Sequence, residues 1–397
     1  MWKGDVVTAD LPNVVIVEEG MREGMQIESA DISTQDKIRL LDALSETGLR
    51  HIVVGSFVSP RWVPQMAHIE DVIRGFTPNP AVTYTALALN QRGAERRAAF
   101  VPPLSPPDEL GRSMVHLCDV FVRRNTARSQ ADELAALPRT VSMAAAKGAT
   151  AAVVSVNAAW GSNWLGPFTE TQRMAQLRHQ IELWEHAGVA VTGVWLGDPM
   201  SWNTPGAVAS QVAAIRDTWP EIRHFHLHLH DGRGAAMTSA YMALKALDTR
   251  HTLILDSSIG GMGGCPYCGN GRATKMIPTE DLVSLLEGEG IPTGVDLRRL
   301  VEVAHLAEAV VGHELYGHVS KAGPRPGPGE LYPMDMPFVE TIESAQHFRV
   351  GAAAYAGNLA PWREPIRSPA RDALDAERDR DTPGSSSGPQ AAAEVRS

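Results

Sequence analysis

Cysteine is scarce in this chain, with only Cys118, Cys265 and Cys268 among 397 residues. Three cysteines cannot build a disulfide framework, and their rarity favours a reducing compartment, so we expect a cytoplasmic protein. Lysine and arginine are outnumbered by acidic residues, 36 against 46, which leaves a net charge of −10. This balance argues against nucleic acid or an anionic membrane as the main partner. No apolar run is long enough for a transmembrane helix, and the first residues lack the apolar stretch of a signal peptide.

Apolar residues make up 44% of the chain, enough for a large core, and they recur in short runs. The predicted strands are residues 14–18, 51–57, 81–89, 117–123, 150–157, 189–197, 224–230 and 252–259. The predicted helices are residues 34–47, 130–147, 169–187, 205–217, 235–247, 279–289 and 297–313. Eight strands alternating with helices favour an α/β fold of the (β/α)8 TIM barrel type. An open doubly wound sheet is the alternative, although no glycine-rich dinucleotide motif follows the first strand.

The composition changes towards the C-terminus and predicts three parts. Residues 1–313 are expected to form a TIM-barrel catalytic domain. Residues 314–366 form a C-terminal extension that is dense in proline and glycine between Lys321 and Gly329, which we interpret as a lid or an arm onto a neighbouring subunit. Residues 367–397 are charged and then rich in glycine and serine, so this tail is predicted to be disordered.

Four histidines alternate along the seventh predicted strand, His224, His226, His228 and His230. Residues two apart in a strand point to the same face, so His228 and His230 can hold one metal ion side by side. Imidazole nitrogens suit Zn, Mn, Co or Fe, and added oxygen ligands shift the preference towards Mg or Mn. We expect His224 and His226 to lie inside the barrel or behind the metal ligands. The alternative is a polar strand whose histidines are satisfied by other groups.

Further polar residues stand at or just after the ends of the predicted strands, where a TIM barrel builds its active site. They are Arg22, Glu23, Ser56, Arg123, Arg124, Asn157, Asp198 and Asp231, together with the glycine-rich loop 260–271. Arg22 and Glu23 supply a fixed positive charge and a carboxylate, although such a pair also occurs in surface turns. Arg123 and Arg124 could meet phosphates or carboxylates, and a solvated face is the alternative.

The loop after the eighth predicted strand contains Cys265-Pro266-Tyr267-Cys268. A four-cysteine zinc site would need a second pair, which the chain lacks. The same tetrapeptide serves thiol–disulfide exchange in glutaredoxin-like proteins, but there it opens a helix after the first strand of a small domain. Three interpretations stay open here: Cys265 as a catalytic or loop-closing thiol, a purely structural pair, and a reversible redox switch.

Four stretches together resemble 3-hydroxy-3-methylglutaryl-CoA lyases, within the metal-dependent aldolase-type barrel superfamily that also holds isopropylmalate and homocitrate synthases. The stretches are 18–26, 56–66, 228–231, and 256–258 leading to 263–267. The second and fourth are specific to the lyase branch, and the resemblance covers roughly residues 12–313. It implies a divalent metal ion, Mg²⁺ or Mn²⁺ first and Zn²⁺ or Co²⁺ next. It also implies an acyl-CoA or small carboxylic-acid substrate and a homodimer or larger homo-oligomer.

The resemblance also assigns roles to individual residues. The metal ligands would be Glu23, His228 and His230, with Asn270 taken in place of a family asparagine that has no direct counterpart. The catalytic residues would be Arg22, Asp198 and Cys265. Substrate binding is expected from the following residues at the strand ends and in the first turn: Gln26, Ser56, Arg123, Arg124 and Asn157.

Several positions depart from the lyase pattern. Glu23 replaces the family's metal-binding aspartate, Val53 stands where the lyases carry a glutamate, and the loop after Cys265 is longer. The leading interpretation is a lyase that cleaves a 3-hydroxy-3-methylglutaryl-CoA-like thioester to acetyl-CoA and a keto acid. The first alternative is a Claisen-type synthase that condenses an acyl-CoA with a 2-oxo acid. The second is a catalytically weakened barrel that only binds CoA esters.

Overall fold

The computed structural model describes residues 11–269, 274–332, 334 and 368–381. Eight strands form one parallel sheet in the order β3-β2-β1-β8-β7-β6-β5-β4. They are β1 (Asn13–Glu18), β2 (His51–Ser56), β3 (Thr83–Leu87), β4 (Gly111–His116), β5 (Ala151–Asn157), β6 (Ala190–Asp198), β7 (His224–Leu229) and β8 (Thr252–Ser257). A short hairpin, Gly161–Ser162 paired with Gly166–Pro167, follows β5.

Helices follow most of the strands, and those that precede Pro324 cover the outside of the sheet. They are α1 (Thr34–Ser45), α2 (Ile69–Gly75), α3 (Gln91–Ala98), α4 (Asp119–Thr126), α5 (Gln130–Ala146), α6 (Glu170–His186), α7 (Pro205–Thr218), α8 (Ala236–Ala246), α9 (Thr279–Gly288), α10 (Leu297–Val311), α11 (Val319–Ala322) and α12 (Pro369–Asp381). All seven predicted helices are present within two residues of their predicted ends. No described helix is both long and apolar enough to cross a membrane.

The strand order separates a barrel from a doubly wound sheet. Strands that follow each other in the chain lie side by side, and the last strand, β8, pairs in parallel with the first, β1, over six residues from Asn13 to Glu18. A doubly wound sheet instead reverses its strand order in the middle. On the far side, Leu104 in the segment before β4 forms a bridge to Tyr84 of β3. The sheet therefore curls round so that its strand ends face one opening.

The predicted fourth strand, residues 117–123, was wrong. The strand is Gly111–His116, and the apolar run after it belongs to helix α4. Cys118 caps this helix, because its sulfur accepts a hydrogen bond from the backbone N–H of Phe121. A short apolar run cannot be assigned to strand or buried helix from its apolarity alone. The true strand was missed because it is not a continuous apolar run: Arg112 and Met114, which alternate with its buried residues, are exposed.

The described chain divides into two compact units, and the first ends at Pro324; the domain boundary at residue 313 stays a prediction. Residues 314–324 stay with the barrel because Asp281 of α9 accepts hydrogen bonds from the backbone of His318 and Val319 at 2.9 and 2.7 Å. The described residues from 325 onward form the second unit. Within the tail predicted to be disordered, residues 369–381 form α12, where Arg371 and Asp375 pair at 3.6 Å. The role of the extension as lid or arm stays a prediction.

Glu18, the last residue of β1, links the turn after β1 to the segment after β8 through hydrogen bonds. Its Oε1 accepts hydrogen bonds from the backbone N–H groups of Gly20 at 2.7 Å and Ile259 at 2.9 Å. Its Oε2 accepts the hydroxyl of Thr279 at 2.5 Å. The side chain is fully buried, and this burial raises the pKa of Glu18 to about 7 in spite of the three hydrogen bonds, which lower it. The turn after β1 and the loop after β8 are thereby held next to each other.

We expect Glu18→Gln to flatten the pH dependence of folding stability. Because the pKa of Glu18 is raised from 4.5 to about 7, the folded state binds more protons than the unfolded chain between these values. The contribution of Glu18 to the free energy of unfolding is therefore complete below pH 4.5 and is lost as the pH rises towards 7. The loss amounts to about 3 kcal/mol. Urea unfolding of both proteins across this interval measures the difference. The exposed Glu221→Gln serves as control, and equal pH slopes for wild type and Glu18→Gln would contradict the prediction.

Candidate active site

Three residues predicted as metal ligands converge at the opening of the barrel. Glu23 lies in the turn Gly20–Gly24 after β1, while His228 and His230 lie in and just after β7. All three are buried, and one ligand atom from each lies within 4.8 Å of the others. The Nε2 atoms of the two histidines are 3.2 Å apart, and His230 Nε2 is 3.7 Å from Glu23 Oε1. The structure thus brings together residues that are far apart in the sequence.

Both imidazole rings are oriented by groups behind them. Nδ1 of His228 faces Oδ2 of Asp256 at 2.8 Å, and Nδ1 of His230 faces the carbonyl oxygen of Thr274 at 3.1 Å. Because each of these partners is an acceptor, Nδ1 carries the proton in both rings, and the two Nε2 lone pairs point to a common position. His226 adds to this arrangement through Nε2, which lies 2.6 Å from Oδ1 of the same Asp256.

This donor set fits a divalent metal ion. Two imidazole nitrogens at this distance share either a proton or a metal ion, and a separation near 3 Å suits two ligands with metal bonds of about 2.1 Å. Two imidazoles and one carboxylate also leave coordination positions open, as catalytic metal sites require. Burial and, to a smaller extent, the neighbouring His228 lower the pKa of His230 to about 4. The Nε2 atom of His230 is therefore free to bind a metal at neutral pH.

The cluster carries an excess of buried negative charge that a cation would balance. Arg22 donates from Nε to Glu19 Oε2 at 2.7 Å and from a terminal nitrogen to Glu23. Burial by itself would raise the pKa of Glu23, but Arg22 and the histidines outweigh it and the pKa is lowered. At His228, burial disfavours the charged ring, yet Asp256 outweighs burial and raises its pKa. The lowered pKa of Glu23 and the raised pKa of His228 both indicate surroundings that favour a positive charge between the side chains.

Asp198, the last residue of β6, lies against the same cluster. Its Oδ2 accepts two hydrogen bonds from Asn203, at 2.6 Å from the backbone and 2.7 Å from the side chain. Asn203 also donates to the carbonyl oxygen of His230 at 3.1 Å, which ties the end of β6 to β7. The other oxygen, Oδ1, is buried and has no hydrogen-bond partner among the residues that the structure describes. Burial raises the pKa of Asp198, so this oxygen is suited to take up a proton.

The loop after β8 holds Cys265 at the edge of this site. The backbone N–H of Cys265 donates to Thr274 Oγ1 at 2.8 Å, and the same Thr274 bonds His230 through its carbonyl. Cys268 donates its thiol to the carbonyl oxygen of Pro199, directly after Asp198, at 3.1 Å. Burial raises the pKa of the Cys268 thiol, so it stays protonated. Both cysteines are free thiols, and the redox-switch interpretation stays a prediction.

Three predicted substrate-binding residues lie near the opening. The side chain of Gln26 forms a hydrogen bond with Glu23. Ser56 is buried at the end of β2. Asn157 ends β5, where its Oδ1 accepts from the next backbone N–H at 2.8 Å and its Nδ2 lies 3.3 Å from Nε2 of His116. Their roles in binding stay predictions, and Asn270 lies outside the described residues.

The placement of Arg123 and Arg124 at a strand end was wrong, because both lie in helix α4. Arg123 is exposed and pairs with Asp119 at 2.7 Å in its own helix. Arg124 donates to the carbonyl oxygen of Tyr267 at 2.9 Å, and its guanidinium lies 5.4 Å from the ring centre of Trp164. Arg124 therefore touches the loop that carries Cys265.

Several residues of the site were missed from the sequence. Glu19, Asp256 and Thr274 hold the functional side chains in place, as described above. Asp256 could have been found from the sequence, since it lies on the inner face near the end of β8, where a TIM barrel places its active-site residues. Thr274 acts partly through its backbone carbonyl, which no residue pattern reveals. Among the histidines, His226 lies behind the ligands as expected, but His224 is exposed at the start of β7.

Comparisons with known proteins agree with this fold. A family model described as HMGL-like matches residues 13–307. The mitochondrial hydroxymethylglutaryl-CoA lyase of Macaca fascicularis is 33% identical over 78% of this chain and 89% of its own length. The 3-hydroxy-3-isohexenylglutaryl-CoA/hydroxymethylglutaryl-CoA lyase of Pseudomonas aeruginosa is 33% identical over 79% of this chain and 98% of its own length.

Solved structures confirm the TIM-barrel prediction. The crystal structure of hydroxymethylglutaryl-CoA lyase from Pseudomonas aeruginosa matches with a TM-score of 0.64 and 34% identity, over 79% of this chain and 98% of that chain. The family match covers all eight strands and the turns and loops that carry the cluster of Glu23, His228 and His230. The chain therefore belongs to the HMGL-like family of carbon–carbon lyases.

Proposed function

We propose that this protein is a divalent-metal-dependent lyase that cleaves a 3-hydroxy-3-methylglutaryl-CoA-like thioester to acetyl-CoA and a keto acid. The observation that carries the proposal is the convergence of Glu23, His228 and His230, with two histidine lone pairs turned to one position. The names of the relatives, which are lyases of such thioesters, support the substrate class. A synthase would need a 2-oxo acid and would release free CoA, and a binding protein would need no metal.

Glu23, His228 and His230 would hold the metal ion, with Mg²⁺ or Mn²⁺ the first choice and Zn²⁺ or Co²⁺ the next. Bound there, a divalent ion would act as a Lewis acid towards the hydroxyl and carbonyl oxygens of the substrate. Asp256 and Thr274 would keep the two imidazoles in the tautomer that binds metal. Asn270 is proposed as a further ligand on the strength of the resemblance alone.

The proton of the substrate hydroxyl would pass to Asp198. Its Oδ1 has no hydrogen-bond partner in the described structure, and Asn203 holds the rest of the carboxylate rigidly. Because burial raises its pKa, Asp198 is a stronger base than an exposed aspartate. As the proton leaves, the hydroxyl oxygen becomes the carbonyl of the keto acid. The electron pair of the broken carbon–carbon bond then moves onto the thioester as an enolate.

Arg22 and Cys265 would act on this enolate. The guanidinium of Arg22 is held by Glu19 and Glu23 on the floor of the site, where a fixed cation stabilises developing negative charge. The thiol of Cys265 would donate its proton to the enolate carbon and give acetyl-CoA. The resulting thiolate would regain a proton from solvent, and Asp198 would release the one it accepted.

We further propose that Gln26, Ser56, Asn157 and Arg124 contact the substrate, and that the protein works as a cytoplasmic homodimer or larger homo-oligomer. The three free cysteines support a reducing compartment. Arg123 is left out of this set because it pairs with Asp119 in its own helix.

We expect chelator-stripped protein to release acetyl-CoA from 3-hydroxy-3-methylglutaryl-CoA only after Mg²⁺ or Mn²⁺ is added, at ~1 per second or faster. Glu23→Gln keeps the size of the side chain but removes a charged ligand, so metal-dependent release should fall at least ~100-fold. The exposed Glu95→Gln is the matched control. Release of free CoA that requires a 2-oxo acid would instead support the synthase, and metal-independent binding without turnover would support a binding protein.

We expect Asp256→Asn to weaken metal binding by ~10–100-fold, because an amide cannot accept both the Nδ1 proton of His228 and the Nε2 proton of His226 as the carboxylate does. Competition with a metal-sensitive dye measures the affinity without turnover. The exposed Asp217→Asn controls for the general loss of an acidic group. An unchanged affinity in Asp256→Asn would show that Asp256 does not orient His228.

We expect Cys265→Ser to lower turnover at least ~100-fold, because a serine hydroxyl is a far weaker acid than a thiol. Cys268→Ser should stay close to wild type, since a hydroxyl can also donate to the carbonyl oxygen of Pro199. Steady-state rates of both variants, with circular dichroism to verify folding, make the comparison. A near-wild-type rate for Cys265→Ser would remove Cys265 from the mechanism.

A further inference from the structure

The indole of Trp195 lies on the inner face of β6, beside the metal-binding cluster. Its ring centre is 5.6 Å from that of His228 with 26° between the planes, a stacked arrangement. It is 6.3 Å from the ring centre of His226, at 80°. The indole is only half-buried, so part of its apolar surface faces the barrel interior. None of the proton or electron movements proposed above uses it.

The chain is built to accommodate this ring. Gly197, two residues further along the same face of β6, has no side chain, and a Cβ built there would overlap ring atoms of Trp195. The same Cβ would meet Oδ1 of Asn157 on the neighbouring strand. Since Gly197 pairs with His228 in the sheet, the tip of the indole reaches the level of the metal ligands. The ring therefore occupies space that would otherwise open next to the reacting atoms.

The chemistry of the substrate decides which of its parts can face this ring. The carbon that carries the hydroxyl has three carbon substituents: the arm to the thioester, an arm ending in a carboxylate, and a third group. A carboxylate would lose its hydration against an apolar ring without gaining a partner. The thioester arm must leave through the barrel opening, because it continues into coenzyme A. Only the third substituent can pack against the indole.

We propose that Trp195 determines specificity by limiting this third substituent to a compact apolar group such as methyl. The inference rests on the proposed function, because it concerns the same thioester. A longer alkyl chain at that carbon would have to displace the indole. Moving the ring would in turn disturb its stacking on His228. A displaced indole would therefore also disturb the cluster of Glu23, His228 and His230.

The test compares wild type and Trp195→Ala on two thioesters, 3-hydroxy-3-methylglutaryl-CoA and 3-hydroxy-3-isohexenylglutaryl-CoA. We expect the ratio of kcat/KM for the isohexenyl over the methyl compound to rise ~100-fold in the variant. Trp195→Phe should give a smaller rise, since a phenyl ring fills part of the space. Calorimetric Kd values for both thioesters on chelator-treated protein, where no turnover occurs, should shift in the same direction.

Trp219→Ala is the matched control, because Trp219 is buried beyond the end of α7 and should leave the ratio unchanged. An unchanged ratio in Trp195→Ala, with both substrates slowed alike and metal affinity lowered, would overturn the proposal and reduce Trp195 to a support for His228. If wild type cleaves neither thioester, the proposed function itself fails. If wild type cleaves at least one and the ratio does not move, only the role of Trp195 fails.

Discussion

The site is organised around two histidine nitrogens, 3.2 Å apart, whose lone pairs point to one position. Two acceptors this close repel each other unless a cation lies between them. The surrounding groups maintain this unfavourable geometry: Asp256 and Thr274 orient the rings from behind, and Glu23 adds a negative charge in front. The fold supplies these groups from β1, β7, β8 and the loop after β8. The barrel thus provides a preorganised cation-binding site.

Burial gives this arrangement its strength. Glu19, Glu23 and Asp256 are all withdrawn from water, with the guanidinium of Arg22 among them. Charges interact far more strongly in such surroundings than in solvent. The burial that costs desolvation free energy therefore also strengthens the interaction of the cluster with a divalent ion, and that of Arg22 with a developing negative charge. Gln26 at Glu23, and Asn203 at the neighbouring Asp198, limit how far these two carboxylates can move in response.

The sequence was sufficient for the barrel and for the convergence of the histidines whose spacing carries information. Alternation of histidines along one strand predicts a shared face, and the structure places His228 and His230 there. The prediction of β4 was wrong because the amphipathic strand 111–116 is less apolar than the helix start that follows it. Thr274 could not be found because a carbonyl oxygen has no residue signature. Asp256 stands at a predicted strand end, but its pairing with His226 and His228 depends on the register of β7 and β8, which only the folded sheet supplies.

The pairing of β8 with β1 has a consequence for how the protein is made. Glu23 emerges early in synthesis, and His228 and His230 emerge much later, so the ligand set is incomplete until the last strand is available to close the sheet. Contacts between such distant segments are slow to form, because a long loop must be closed first. A metal ion that binds only the closed sheet will draw the chain towards it by mass action. Cellular metal supply would then govern the yield of folded protein as well as its catalytic rate.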